Sequence, residues 1–325
     1  MQKILFSKKI ENILTNLDFS KLGNNVAIKI HFGEKGCETY ISPELVKKVY
    51  NKIISLDKKA TLIECNVLYK GSRTNSTDHI KTAKEHGFNF ANIDILDGED
   101  GSEFIELNNC KIGKGIEKYD SIIVLSHFKG HVAAGFGAAF KNLGMGLGSR
   151  AGKLHMHANV SPKVNKESCE GCKLCIEKCN ANAIEFINEK AFINSEKCEG
   201  CAMCIAVCPH KAIQIPFGTR TSEELQRKIA EYSKAIIDKI GKDKIIYINV
   251  LENITENCDC LGKKQQPIME DIGILAGHDI ISIELASLQK AGKHFDKINT
   301  IDKNKQIEFG IELNLGSKDF EIEEV

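Results

Sequence analysis

The sequence predicts an α/β fold: a mostly parallel sheet domain interrupted by a small inserted α+β unit. Three observations predict it. Short apolar, β-branched runs alternate with amphipathic helical segments in the first half of the chain. A cysteine-rich, internally repeated stretch then breaks that pattern, and the strand and helix signals resume beyond it.

Four runs carry the sheet: VAIKIH at 26–31, ATLIEC at 60–65, SIIVLS at 121–126 and KIIYINV at 244–250. They are apolar almost throughout, as expected of parallel strands buried on both faces. Helices fit between them. SPELVKKVYNKII opens with Ser42 as N-cap and Pro43 in the first turn, and sets Leu45, Val46, Val49, Tyr50, Ile53 and Ile54 on one side. Thr221 and Glu224 have capping-box spacing before a helix carrying Leu225, Ile229, Tyr232, Ile236 and Ile240, which closes at Gly241. Ser161-Pro162 and Pro216-Phe217-Gly218 read as junctions, giving an α/β first part at 1–164, an insertion at 165–217 and an α/β second part at 218–325. Two separate flanking domains are the less economical arrangement, because the last part holds only one clear strand.

Composition narrows the function classes. With 42% apolar and 27% charged residues, 325 residues suffice for a globular fold. Lys plus Arg equals Asp plus Glu at 44 each, so no global field favours nucleic acid, acidic partners or anionic lipid. No apolar stretch approaches the roughly 18–20 residues of a membrane span, and MQKILFSKKIENIL gains charge too early for a secretory signal. A cytoplasmic location is expected, with neither nucleic acid nor membrane as partner.

Eight of the thirteen cysteines form one strict pattern. CEGCKLCIEKC holds Cys169, Cys172, Cys175 and Cys179; CEGCAMCIAVCP holds Cys198, Cys201, Cys204 and Cys208. Both read C-x2-C-x2-C-x3-C, are offset by 29 positions and are followed by an Ala-Ile pair, Ala183-Ile184 and Ala212-Ile213. Three thiolates two residues apart wrap three corners of a small cube, while the fourth points away. In bacterial-type two-cluster ferredoxins that fourth cysteine ligates the other cluster. The expected 4Fe-4S ligand sets are therefore Cys169, Cys172, Cys175 and Cys208 for one cluster, and Cys198, Cys201, Cys204 and Cys179 for the other. Structural zinc is the plainer alternative, but it uses separated cysteine pairs and needs no third C-x2-C step. Pro209 follows the last cysteine as in ferredoxins, whereas Asn180 stands after Cys179. Two clusters close together favour electron traffic over a purely structural role.

Open parallel sheets bind ligands outside the carboxyl ends of their strands. Polar residues gather there: His31, Gly33, Glu34 and Lys35 after the first run, Asn66, Tyr69, Lys70 and Arg73 after the second, SHFKGH after the third, Glu252 and Asn253 after the fourth. His127, Lys129 and His131 are thus candidate catalytic residues lining a crevice; the plain reading of each is a solvated or structurally bonded side chain. In HVAAGFGAAFKNLGMGLGSRAGKLHMH, glycines accompany Lys141, Arg150, Lys153, His155 and His157, candidate groups for an anion or cofactor. No nucleotide fingerprint is complete, since Phe140 takes the third glycine position of G-x-G-x-x-G. The plain reading is a glycine-rich helix packed tightly on its neighbours. Cys37, Cys65, Cys110, Cys258 and Cys260 remain; NCDC at 257–260 is a weak metal or redox signal whose default is a free thiol.

The segments KIHFGEKGCETYISPELV, ECNVLYKGSRTNSTDHIKTAKEHGF, LSHFKGHVAAGFGAAFKNLGMGLGSRAGKLHMH, and ENCDC with DIGILAGHDIISIELAS resemble the domain-of-unknown-function 362 family, in the form carrying an inserted two-cluster ferredoxin domain. The resemblance covers nearly the whole chain. It implies iron-sulfur electron transfer for the insertion and no established reaction for the surrounding domain. HDIISIELAS departs from the family's D-P-x-A-I-D-x-A tendency, with Ile280 and Glu284 at the proline and aspartate positions.

The first expectation is an electron-transfer protein passing low-potential electrons through two 4Fe-4S clusters to a redox partner protein or to a flavin or other cofactor of the α/β domain. The alternative is an iron-sulfur oxidoreductase, a reductase acting on a flavin or small anionic substrate near residues 126–157. There Lys129 or Arg150 neutralises the anion and a histidine supplies the proton. A nucleic-acid-binding protein with architectural clusters is the third reading, disfavoured by the balanced charge.

Overall fold

The structure is a computed structural model describing residues 1–325. Its centre is an eight-stranded sheet. The strands are β1 (Gln2–Ser7), β2 (Asn25–Lys29), β3 (Lys59–Glu64), β4 (Ile93–Ile95), β5 (Ser121–His127), β6 (Ile245–Leu251), β7 (Gly273–Gly277) and β8 (Phe320–Glu324). Their order is β8-β1-β7-β6-β5-β2-β3-β4, and β7 alone runs against the rest.

The four apolar runs are β2, β3, β5 and β6, so the sheet is α/β and mostly parallel. Four further strands complete it. They escaped the apolar criterion because β4 has three residues, β7 (GILAG) is glycine-flanked, and the edge strand β8 (FEIEE) is largely acidic. β5, from before the insertion, pairs in parallel with β6, from after it, with Val124 opposite Tyr247 and His127 opposite Val250. Residues 165–217 thus leave and return within one sheet.

Helices cover both faces: α1 (Ile10–Asn16), α2 (Pro43–Ile54), α3 (Ser76–Glu85), α4 (Arg150–His157), α5 (Ser222–Ile240), α6 (Ile280–Asp296) and α7 (Lys305–Glu312). Ser42 caps α2 by accepting from the Leu45 N–H, and Thr221 with Glu224 forms the full capping box of α5. Successive side chains of a strand point to opposite faces. Accordingly Ala27, Ile122, Val124 and Tyr247 join the core beneath α5 and α6, while Ile28, Ile123, Leu125 and Ile248 join the core beneath α1 and α2.

Residues 165–217 form a small unit of two short helices, Leu174–Glu177 and Met203–Val207, and two antiparallel ribbons. The ribbons pair Lys163–Val164 with Ile213–Gln214 and Ile184–Ile187 with Lys190–Ile193. Its core of twelve buried residues includes Leu68, Leu154 and Ala158 of the α/β domain. That shared core fixes the insertion against the carboxyl ends of the parallel strands. Lys70 Nζ donates to the Ala206 carbonyl at 3.2 Å and adds a polar tie. No helix is long and apolar enough to cross a membrane.

Candidate functional site

From β2 the chain runs outward through β3 and β4, and β5 then returns to the other side of β2. Strand order reverses between β2 and β5, which is where open α/β sheets leave a crevice. A cavity of about 710 Å3 opens there. It is closed on one side by the glycine-rich helix at 139–147, whose middle, Lys141–Met145, takes a π turn. Such a turn inserts a residue and re-aims side chains, and is common at functional sites. Here it directs Asn142 into the seam, where Nδ2 donates to Lys29 O at 3.2 Å, Leu125 O at 3.0 Å and Ser126 Oγ at 3.1 Å. The helix lies close to its neighbours. A Cβ on Gly144 would collide with the Ile229 carbonyl of α5, and one on Gly146 would sit 2.7 Å from Lys29 Nζ.

The floor is an ion network. Lys29, fully buried in β2, donates to Glu64 at 2.8 Å, Asn142 Oδ1 at 2.8 Å and Ile30 O at 2.9 Å. Burial lowers its pKa while Glu64 opposes the shift. Arg73 Nε donates to Glu34 at 3.3 Å, and Arg73 Nη2 donates to Tyr69 Oη at 2.9 Å. Burial pushes the Glu34 carboxyl up, but Arg73, Ser72 and Tyr69 together hold it below its ordinary value.

Beside this floor the N-C-D-C segment packs under β5. Asp259, fully buried, accepts from His127 Nδ1 at 2.9 Å and from Lys129 Nζ at 3.0 Å. Burial raises its pKa, and the His127 and Lys129 partners overcome that to leave it well below the carboxylate range. His127 Nε2 faces the Glu252 carbonyl at 2.9 Å, so both ring nitrogens meet oxygen acceptors. Asp259 points toward these partners, while Cys258 and Cys260 on either side face the cavity. Lys141 Nζ stands 3.5 Å from Cys258 Sγ.

His31, His131 and His157 also line the cavity. The His131 pKa is pushed well below the imidazole range by burial, then by Lys141. His31 shifts the same way through burial and Arg73, and His157 falls to about 4 through burial, Lys141 and Lys153. The cavity therefore presents neutral imidazoles among fixed cations, with apolar walls from residues such as Leu68, Met145, Leu225 and Leu261. Such a surface favours a ligand with an apolar body and an anionic group.

Of the candidates named from sequence, Lys129, His131, Lys141, Lys153 and His157 line the cavity. Three do not. His127 lies behind the wall, both nitrogens committed to Asp259 and backbone carbonyls, so it is a strut and not a free proton donor. Arg150 points away to the Thr74 carbonyl and packs on Gly101. His155 turns outward to the Tyr232 hydroxyl at 3.0 Å. Lys153 Nζ is itself occupied by the Gly148 carbonyl at 2.6 Å. Helical position explains His155, because Lys153 and His157 are four residues apart and share a face of α4 that His155 does not; Arg150 falls on that face but stands at the first residue of the helix, where its guanidinium reaches back to Thr74.

Sequence reasoning missed Lys29, Glu64, Asp259 and the cavity-facing role of Cys258 and Cys260. The available signal was the alternation of C-D-C just beyond the carboxyl end of β6. Glu284 was also missed: fully buried, it accepts from Phe140 N at 2.9 Å and so caps the glycine-rich helix from α6. Burial raises its pKa to about 8.

The eight patterned cysteines are brought together in two quartets. Cys169, Cys172, Cys175 and Cys208 surround one small hollow; Cys179, Cys198, Cys201 and Cys204 surround another. The last cysteine of each half crosses to the quartet of the other. The two loops superpose residue for residue in conformation, with φ of +66° at Gly171 and +68° at Gly200, then 63° at Lys173 and 61° at Ala202. Left-handed residues at these points curl the loop and turn its amides inward. Ala183 N and Ala212 N donate to Cys179 Sγ and Cys208 Sγ, each at 3.3 Å. All thirteen cysteines are unpaired by disulfides. No group of three or more His, Cys, Asp or Glu side chains is placed so that it could hold a metal ion. The donor chemistry of the quartets, four sulfurs about a hollow with amide donors behind them, fits a cube cluster.

A family model described as Domain of unknown function (DUF362) matches residues 26–289. No curated protein sequence matches the chain. Among solved structures, the lactate racemase apoprotein from Thermoanaerobacterium thermosaccharolyticum is similar at 13% identity and a TM-score of 0.34, covering 77% of this chain and 50% of that one. A structural-genomics protein from Thermotoga maritima is similar at 11% identity and a TM-score of 0.40, covering 94% of this chain and 58% of that one. This chain thus spans 50% and 58% of their lengths.

Proposed function

The chain belongs to the domain-of-unknown-function 362 family, and on that premise we propose that it is an electron-transfer protein holding two 4Fe-4S clusters in an inserted ferredoxin module. Cys169, Cys172, Cys175 and Cys208 would hold one cluster, and Cys198, Cys201, Cys204 and Cys179 the other. When bound, the clusters would supply low-potential one-electron transfer. The observation that carries this reading is the crossing of Cys179 and Cys208 between the quartets, which a pair of independent zinc loops would not need. The acceptor is a redox partner protein or a cofactor in the cavity.

The chain's own residues support an acceptor in the cavity. Leu68 belongs both to the cavity wall and to the apolar core containing Cys169, Cys175 and Cys208, so no water layer need separate the two regions. Lys129 and Lys141 would hold an anionic group. His131, with Nδ1 accepting from Ala134 N at 3.0 Å, carries its ring proton on Nε2 and would offer it as a hydrogen bond to the acceptor.

A second reading is a reductase acting directly on a flavin or small anionic substrate, and the cation-lined cavity favours it. The discriminating experiment is reduction of a candidate ligand by the reduced protein. A reductase shows saturation and loses rate on His131→Ala. A carrier reduces an acceptor protein at an unchanged rate in that variant. Failure of the reduced protein to pass electrons to any acceptor would remove both readings.

A further inference from the structure

We propose that Cys258 and Cys260 form a reversible dithiol–disulfide couple in the cavity wall, able to take up or release two electrons at a time. The reading of the quartets enters only as the source of those electrons; the couple itself rests on the geometry of the C-D-C segment.

In that segment Asp259 is anchored to His127 and Lys129, and the residues on either side are thereby turned together to the opposite face, where both line the cavity. The backbone is held as well. Tyr69 Oη donates to Cys260 O at 3.0 Å, and Gln265 Nε2 donates to Asn257 O at 3.3 Å. Two thiols, one residue apart in sequence, thus face the same cavity from a backbone held in place. Lys141 Nζ, supplied by the π turn, lies 3.5 Å from Cys258 Sγ.

The electrostatics distinguish the two sulfurs. The neighbouring Cys260 thiol holds the Cys258 pKa well below the usual thiol range; burial opposes this, and Lys141 and Lys129 reinforce it. Cys260 is pushed well above that range by Cys258 and by burial. A thiolate beside a thiol is the starting point of disulfide chemistry. The fixed ammonium argues against a metal here, because it stands at Cys258 where a cation would have to approach. The other three unpatterned cysteines differ. Burial raises Cys37 and Cys65, and carries Cys110 up to about 12; Cys65 lines the same cavity yet is tied to the Leu147 carbonyl.

In the oxidising direction the Cys258 thiolate and the Cys260 thiol join in an S–S bond, passing two electrons to a disulfide oxidant, which is cleaved to its dithiol, and releasing one proton from Cys260. In the reducing direction two electrons, delivered singly by a reduced iron-sulfur carrier, break that bond. One proton returns to Cys260, and Cys258 remains a thiolate beside Lys141. Two one-electron clusters match one two-electron couple.

The test uses the full-length, anaerobically prepared protein equilibrated in reduced and oxidised dithiothreitol, acid-quenched, alkylated and digested with trypsin. The fragment Ile245–Lys263 contains Cys258 and Cys260 and no other cysteine. It is expected to lose two hydrogens and escape alkylation under oxidising ratios, reversibly, and Cys260→Ser should abolish the change while leaving Cys258 alkylatable. Under native conditions Cys258 should alkylate far faster than Cys65, and Lys141→Met should slow it by about tenfold. Full alkylation of the fragment at every ratio, or Cys258 reacting no faster than Cys65, would overturn the proposal, as would a metal co-purifying on the pair. The two readings fail separately: a disulfide in a protein without iron removes the cluster reading alone, and iron without the disulfide removes this couple alone.

Discussion

In residues 165–217 eight cysteines fall between positions 169 and 208 and five of them are at least partly exposed. The cavity beside them draws Lys29, Arg73, Lys129, Lys141, Lys153 and Cys258 from stretches scattered over most of the chain; Lys141 is half-buried and the other five are buried. The first region positions its donors by local loop conformation, with left-handed residues at matching places in two copies. The second positions them by long-range packing and ion pairs, so that its chemistry and its stability share the same residues. Substitutions should therefore separate the regions: in the first they remove a bound group, in the second they loosen the fold.

The largest expected effect is in the insertion. Cys201→Ser and Cys179→Ser should perturb the same cluster and give matching EPR changes, and Cys172→Ser and Cys208→Ser should share the other. Iron should fall from about eight per chain toward four, with far-ultraviolet circular dichroism of the α/β domain retained. Pairing by sequence half instead, Cys179 with Cys169–Cys175, would break the crossed assignment.

Asp259→Asn comes next. It leaves Lys129 without its buried counter-charge and the His127 ring without its carboxylate partner, and chemical denaturation should register a loss on the order of 3–5 kcal/mol. The folded Asp259 pKa is depressed, so its contribution is present above the unfolded carboxylate value of about 3.9 and is lost as pH falls through the folded value. The variant should lack that acid-limb component. Retention of full stability would mean that the cavity does not depend on long-range pairing.

Gly144→Ala forces a methyl against the Ile229 carbonyl of α5, and should lower stability by about 1–3 kcal/mol in thermal unfolding. The last effect, confined to the pH dependence, is at Glu284. Its folded pKa of about 8 lies above the unfolded value of about 4.3, so the folded state holds the extra proton and stability should decline as pH rises between the two. Glu284→Gln should flatten that decline in denaturation curves from pH 5 to pH 9.

Legibility followed the same division. The cysteine quartets could be assigned from spacing because a C-x2-C-x2-C loop contains its own geometry, and the fourth cysteine's different spacing implied where it must go. The buried strands and the caps at Ser42 and Thr221 were legible for a like reason: each depends on neighbours within a few residues. The cavity was legible only as a location, at the carboxyl ends of β2, β3 and β5. Which side chains face it depends on the π turn at Lys141–Met145 and on the pairing of Asp259 with residues 127 and 129, neither of which leaves a periodic trace. His155 was misassigned to the cavity because a basic cluster in sequence becomes two faces once α4 is formed, and Arg150 because it opens the helix and is drawn to the Thr74 carbonyl. Glu284 shows the converse: a position that departs from the family's aspartate still places a carboxyl at the start of the glycine-rich helix, one methylene longer.

Iron and acid-labile sulfide analysis of anaerobically isolated protein, followed by EPR of the dithionite-reduced sample, tests the central claim most directly. The account predicts about eight irons and eight sulfides per chain and a signal that returns to silence on mild reoxidation. Stoichiometric zinc in the quartets, or iron centres that neither accept nor release an electron, would contradict it.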